Sequence, residues 1–245
     1  MKTFFNIIFL LLIFSSFAQN IPSTQSDTLL KKDNNLAELI LPISLVTYGI
    51  IGLESHFLRF YNYEIKEEVG EHIDNKIAID DFSQYAPFTS VYLLNSLGIE
   101  GKHNLKDRSL ILGSAYLIMG ATVLTLKSVV DVTRPDGSSN NSFPSGHTAT
   151  AFMGAEFLYQ EYKDVSIWYG VAGYSVALGT GVLRMINDRH WLTDVSAGAG
   201  FGILSTKIAY YIFDKYIQED RVISKLGFSP YLNDKEVGLS LSFKF

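Results

Sequence analysis

The fold of this chain is decided by two consecutive segments, PSGHTATAFMGAEFLYQEY at residues 144–162 and VSIWYGVAGYSVALGTGVL at residues 165–183. Ser145 is a suitable N-cap for a helix that runs to Tyr162, and the second segment carries no charge over a helix's length. Because a short charged turn joins the segments, we predict antiparallel neighbouring helices. The loops before the first helix and after the second must then lie at one end of a bundle.

Similar apolar segments occur on both sides of this pair. The uncharged run 109–126 and the run 195–213, which is broken by Lys207, have lengths near those that a helix needs to cross a bilayer core. Gly198, Gly200 and Gly202 would permit close helix approach. The remaining segments are a short apolar helix at 39–53, a polar surface helix and loop at 61–81, another apolar helix at 84–98 and a basic connector at 101–108. The sequence predicts an all-α fold, a membrane-embedded helical bundle with its active site at one end.

The two termini have other patterns. Lys2, the apolar run 4–14 and the small residues 16–18 are typical of a secretory signal peptide, with an uncleaved anchor helix as the alternative. Alternating apolar residues at 237–245 predict a strand, paired with residues 225–231 in a short C-terminal β-hairpin. We therefore divide the chain as signal peptide 1–18, flexible lead-in 19–35, helical domain 36–220 with a catalytic core at 109–213, and hairpin tail 221–245.

Composition excludes several classes of function. The formal net charge is -5, which argues against nucleic acid as a partner, because its phosphates require a basic surface. The chain has no cysteine, so disulfides and thiolate metal sites are excluded. With an export signal, the sequence predicts a protein of the cell envelope.

Three fragments carry the residues suited to chemistry: Lys127 with Arg134-Pro135, Pro144-Ser145-Gly146-His147, and Arg184 with His190 and Asp194. The helix pair places their loops together. An arginine side chain can bind two phosphate oxygens at once. The backbone amides at the start of a helix also bind anions, and Gly146 leaves room there for an oxygen to approach. His190 and Asp194 are four residues apart and would share a helix face, so the carboxylate can fix the imidazole tautomer and leave the other nitrogen to attack.

Taken singly, each of these residues has a structural explanation. Lys127 would be a snorkelling lysine, Arg134 a surface loop residue, and Arg184 a cation at a helix C-terminus. His147 would be a bystander beside a serine cap, and His190 with Asp194 a surface ion pair. Together they supply what is needed to hold a phosphoryl group, attack it and protonate its leaving group without a metal.

The three fragments resemble the signature of the type-2 phosphatidic acid phosphatase and vanadium haloperoxidase superfamily, in its bacterial membrane-associated phosphatase branch. The family pattern is Lys, six residues, Arg-Pro; then Pro-Ser-Gly-His; then Ser-Arg, five residues, His, three residues, Asp. The match covers residues 109–213. Leu183 replaces the usual serine, which removes a secondary hydrogen bond, and the short gap from Pro135 to Pro144 suggests a tight entrance loop.

The resemblance implies a role for each matching residue. His190 would be the nucleophile that forms a phosphohistidine, Asp194 would orient it, and His147 would be the acid for the leaving group and then the base for water. The residues that would bind the phosphate oxygens are Lys127, Arg134, Ser145, Gly146 and Arg184. No metal or cofactor is expected, and vanadate would inhibit as a transition-state mimic.

The resemblance also implies substrates and a location. Candidates are phosphatidate-like lipids, phosphatidylglycerophosphate, undecaprenyl pyrophosphate, lipid A phosphates or a small phosphate ester, in an envelope membrane with the active site facing the periplasm or outside. The alternatives are a soluble periplasmic non-specific acid phosphatase, a vanadium haloperoxidase and a non-catalytic envelope protein that binds a lipid phosphate.

Overall fold

The computed structural model describes residues 37–72, 78–218, 226–233 and 236–243; the predicted signal peptide and most of the lead-in lie outside them. Over these residues the helices are α1 Ala37–Ile51, α2 His56–His72, α3 Asp80–Ser83, α4 Ala86–Ser96, α5 Leu105–Val129, α6 Gly146–Tyr162, α7 Ile167–Ile186 and α8 Leu192–Ile212. A π-helical segment, Phe213–Gln218, continues α8. The predicted all-α helical class is confirmed.

Helix α6 is the centre of the bundle. Most of its residues are buried, and α7, α8, α5 and α4 pack around it. Two glycines of α8 allow its close approach, because a Cβ at Gly198 would lie 2.4 Å from the Ser145 carbonyl oxygen and one at Gly202 would lie 2.3 Å from the Ala149 carbonyl oxygen. This contact brings the N-terminus of α6 beside the N-terminus of α8.

Helix α5 is the element best suited to a membrane. Within the described ranges, it alone is long and apolar enough to cross a bilayer as a single helix, and its outward side chains include Leu117 and Leu124. Helices α1 and α2 pass the same test together, although they meet at a bend of 94°. The predicted connector at 101–108 is wrong in part, since α5 begins at Leu105 and Arg108 is buried, with its Nε donating to the His103 carbonyl oxygen.

Two strands follow the helices. Leu226–Asn233 and Glu236–Phe243 pair antiparallel, with Leu226 opposite Phe243 and Asn233 opposite Glu236.

Candidate active site

The loop between α5 and α6 meets the loop between α7 and α8 at one end of the bundle, as predicted. The Asp136 amide donates to the Asp188 carbonyl oxygen at 3.1 Å, and Trp191 Nε1 donates to the Thr133 carbonyl oxygen at 2.8 Å. Asp136 also forms an ion pair with Arg189 at 3.2 Å. These bonds join the three sequence fragments into one site.

A sharp turn at the end of α7 positions His190. Asp188 adopts a left-handed φ of 56°, which reverses the chain. The amides of Arg189 and His190 then both donate to the Arg184 carbonyl oxygen, at 2.9 and 3.3 Å. As a result His190 is buried next to Arg184, with 3% of its surface exposed.

His190 and Asp194 do not share a helix face, which corrects the sequence prediction. Helix α8 begins at Leu192, so His190 precedes it and Asp194 lies in its first turn. Asp194 Oδ2 accepts from the Trp191 amide at 3.0 Å. The carboxylate therefore stabilises the start of α8 and also lies beside the imidazole, because the chain folds back at the helix entry.

Ser142, which the sequence reading missed, connects these two side chains. The distance from His190 Nδ1 to Asp194 Oδ2 is 3.7 Å, too long for a hydrogen bond. The fully buried Ser142 hydroxyl donates to Asp194 Oδ2 at 2.5 Å and lies 3.4 Å from His190 Nδ1. Since its proton points to the carboxylate, the hydroxyl oxygen can only accept from Nδ1. This arrangement favours the tautomer with a lone pair on Nε2.

His190 is neutral in this environment. Burial lowers the pKa of its imidazole to about 4, and although the nearby Asp194 carboxylate opposes this, the positive charges of Lys127 and Arg184 lower the pKa further. A neutral imidazole at physiological pH has the lone pair that a nucleophile requires.

Each of the predicted arginines Arg134 and Arg184 has a buried donor atom that is not used. Arg184 NH1 pairs with the buried carboxylate of Asp80 at 2.6 Å, but its Nε has no hydrogen-bond partner among the described residues. The same is true of Nε of Arg134. The pKa of Arg134 is lowered by burial and then by the charges of Arg184 and Arg189. Buried donors are nearly always paired in proteins, so this arrangement is suited to an incoming anion.

Lys127 lies at the mouth of the site. Its Nζ donates to the carbonyl oxygens of Asn141 at 2.6 Å and Ser142 at 3.4 Å. The lysine thus contacts the loop that carries the Ser142 hydroxyl. The structure brings all three predicted cations to the end of the bundle that holds His190.

At the start of α6, the amide of Ser145 is occupied, whereas Gly146 has open space beside it. Ser145 is the N-cap, with its hydroxyl accepting from the Thr148 amide at 3.4 Å. Its own amide donates to the Asp194 carbonyl oxygen at 3.0 Å, so it is occupied and not available to a phosphate oxygen. Gly146 is the first helical residue, and the nearest atom to its Cβ position lies 3.8 Å away, which leaves room for an oxygen.

His147 faces a pair of carboxylates that the sequence reading placed in a polar surface segment. Its Nε2 lies 3.0 Å from Asp81 Oδ1, and Asp81 Oδ1 lies 3.7 Å from Arg184 NH1. The pKa of His147 is lowered, because burial and the charge of Arg184 outweigh the hydrogen bond to Asp81 and the charges of Asp81 and Asp80, which raise it. The side chain is 30% exposed and lies on the open side of the site.

Known proteins match the region that contains this site. The family model described as the PAP2 superfamily matches residues 108–218. The lipid A 1-phosphatase of Porphyromonas gingivalis is 39% identical over 163 residues, which cover 65% of this chain and 35% of that protein. The chain thus spans about a third of the length of this curated relative.

Two solved structures are similar to the chain. One is the first transmembrane PAP2 type phosphatidylglycerolphosphate phosphatase from Bacillus subtilis, with a TM-score of 0.50, 19% identity and coverage of 72% of this chain and 97% of that one. The other is Aquifex aeolicus LpxE, with a TM-score of 0.47, 24% identity and coverage of 62% and 95%. At this level of identity, the similarity to the Bacillus structure supports the fold alone.

Proposed function

We propose that the protein is a metal-independent lipid phosphatase of the PAP2 superfamily, whose family model matches residues 108–218. It hydrolyses phosphate monoesters or pyrophosphates of envelope lipids through a phosphohistidine. The observation that carries this proposal is the pair of buried, unpartnered arginine Nε donors at Arg134 and Arg184 beside the neutral imidazole of His190. Such a site offers positive charge to a phosphoryl group and a lone pair to its phosphorus atom.

The first chemical step transfers the phosphoryl group to the protein. His190 Nε2 attacks phosphorus, the bond from phosphorus to the leaving oxygen breaks, and His147 gives that oxygen its Nε2 proton. Arg134, Arg184 and Lys127 neutralise the charge on the phosphoryl oxygens, aided by the Gly146 amide. The hydrogen-bonded chain from Nδ1 through Ser142 to Asp194 stabilises the positive imidazole that forms.

The second step returns the protein to its starting state. His147, now neutral, takes a proton from water as the hydroxide oxygen bonds to phosphorus. The bond from phosphorus to His190 breaks and releases inorganic phosphate. In both steps the charge is balanced by side chains, which is why we expect catalysis without a metal or cofactor.

The protein has apolar surfaces near the site, where the lipid part of the substrate would bind. A narrow cleft beside His190 is lined by residues of α2 and of the loop before α8, including Ile65, Lys66 and Trp191. Helix α2 also exposes the aromatic side chains of Phe57 and Phe60. Together with the apolar surface of α5, these features favour a substrate whose acyl chains remain in an envelope membrane. The name of the Porphyromonas gingivalis relative supports a phosphorylated lipid of this class.

The decisive experiment measures phosphate release from a panel of envelope lipids by detergent-solubilised protein in EDTA. We expect wild-type turnover, its loss in His190→Ala and His147→Ala, and retention in His56→Ala, which changes an exposed histidine as the matched control. Full activity in His190→Ala, or loss of activity in EDTA alone, would refute the mechanism. Activity restricted to small esters, with extraction that needs no detergent, would identify a soluble acid phosphatase instead.

A further inference from the structure

One carboxylate of the site has no role in the mechanism above. Asp81 Oδ1 lies 3.0 Å from His147 Nε2 and 3.7 Å from Arg184 NH1. A single oxygen atom thus contacts the acid that serves the leaving group and approaches a cation that serves the phosphate. In the mechanism, the bridging oxygen of the substrate must contact the same imidazole nitrogen.

Asp81 is placed there by a short helix that is attached to α7 at several points. The neighbouring Asp80 accepts from Arg184 at 2.6 Å and from Asn187 at 3.2 Å. Ser83 Oγ lies 2.7 Å from Thr180 Oγ1. The backbone of α3 is therefore held against α7, while the Asp81 side chain itself is 59% exposed and has room to rotate away.

The chemistry of this contact determines where the His147 proton lies. An ionised carboxylate can only accept, so a hydrogen bond to Asp81 requires the proton on Nε2 of His147. The charges that act on this imidazole are Asp81 and Asp80 from α3, which favour its protonated form, and Arg184 from α7, which opposes it. Removing the charge of Asp81 should therefore lower the pKa of His147 further, because the effects of burial and of Arg184 would be less opposed.

We propose that Asp81 is a positioning residue for the general acid. Its carboxylate holds His147 with a proton on Nε2, directed to the position of the leaving oxygen, and gives up that position when the substrate binds. This inference rests on the proposed function and assigns Asp81 to leaving-group protonation. It follows that Asp81 matters most for esters whose leaving alkoxide is a strong base, as in lipid phosphates, and least for esters with an acidic phenol.

The kinetic test compares two substrates in two variants. Asp81→Asn should slow hydrolysis of a long-chain alkyl phosphate at least about tenfold more than hydrolysis of p-nitrophenyl phosphate, because the phenol leaves with little help from an acid. Asp136→Asn is the matched control, since it removes the same charge from the same end of the bundle but pairs with Arg189 rather than His147. Its effect should be equal for both substrates. An equal loss on both substrates in Asp81→Asn would overturn the proposal.

A second measurement tests the role of Asp81 without measuring phosphatase activity. The chain has five histidines, and the NMR signal of His147 can be assigned from its loss in His147→Gln. Titration of ¹⁵N-labelled protein should give a lower His147 pKa in Asp81→Asn than in wild type and an unchanged value in Asp136→Asn. The same pKa in wild type and Asp81→Asn would refute the positioning role. Absence of phosphatase activity in wild type would refute the proposed function but would leave this readout intact.

Discussion

Acid should destabilise the folded protein through His190, independently of any activity. Burial lowers the pKa of His190 to about 4 in the folded protein, whereas an unperturbed histidine has a pKa of about 6.5. The unfolded chain therefore binds a proton as the pH falls through about 6.5, whereas the folded protein resists it until about pH 4. Stability from this residue is complete above pH 6.5 and is lost as the pH falls towards 4. The pKa difference corresponds to about 3 kcal/mol.

The assay is thermal unfolding in detergent between pH 7 and pH 4, comparing wild type with His190→Gln. Other titrating groups are common to both proteins, so their contribution cancels in the comparison. Between pH 7 and pH 4 the free energy of unfolding should fall about 3 kcal/mol more in the wild type than in the variant. For a protein of this size, the unfolding midpoint of the wild type should therefore fall roughly 6–12 °C further than that of the variant. His56→Gln, at an exposed position, should follow the wild type.

Parallel pH curves for wild type and His190→Gln would refute the reasoning. They would mean that His190 gains a proton equally well in the folded and unfolded protein, so that its imidazole is accessible to water. The neutral nucleophile inferred from its burial would then have no physical basis.

Three further predictions concern the supporting structure. Ser142→Ala should lower kcat about 10- to 100-fold with little change in KM, because a hydrogen bond to a charged group contributes about 1.5–3 kcal/mol; an unchanged kcat would show that Ser142 does not support His190. Gly198→Ala should lower the unfolding midpoint, because its Cβ would lie 2.4 Å from the Ser145 carbonyl oxygen and such overpacking costs about 1–3 kcal/mol. Gly113→Ala in α5 has open space around the new Cβ and should be neutral or slightly stabilising, so equal losses in the two variants would contradict the close packing of α8. Vanadate should inhibit competitively with the lipid phosphate, and non-competitive inhibition would place its site elsewhere.

The long helices could be predicted because their signals are local. Residues 145–162 were expected as one capped helix, and the structure has Ser145 as the N-cap of Gly146–Tyr162. The meeting of the two loops followed from the short turn after α6, which makes α6 and α7 antiparallel. Element ends were less predictable. Helix α5 begins at Leu105, four residues before the start of the apolar run 109–126, because Asn104 caps it by accepting from the Asp107 amide.

The residues that escaped prediction act over long distances in the chain. Asp80 and Asp81 lie in a polar segment with no pattern of their own, yet they contact Arg184 and His147 across 104 and 66 residues. Ser142 is one of several serines in its loop, and it becomes important through contact with Asp194, 52 residues away. Such pairings depend on how the helices pack, which no short window of sequence records.

The sequence by itself determined which side chains this protein has for phosphate chemistry and that they lie at one end of a helical bundle, because spacing and helix length are properties of the chain. The tertiary structure decided how the side chains are protonated and connected. Burial makes His190 neutral, Ser142 joins it to Asp194, and the Asp81 carboxylate lies against His147. These properties arise from desolvation and from contacts between distant segments, and both exist only once the helices have packed.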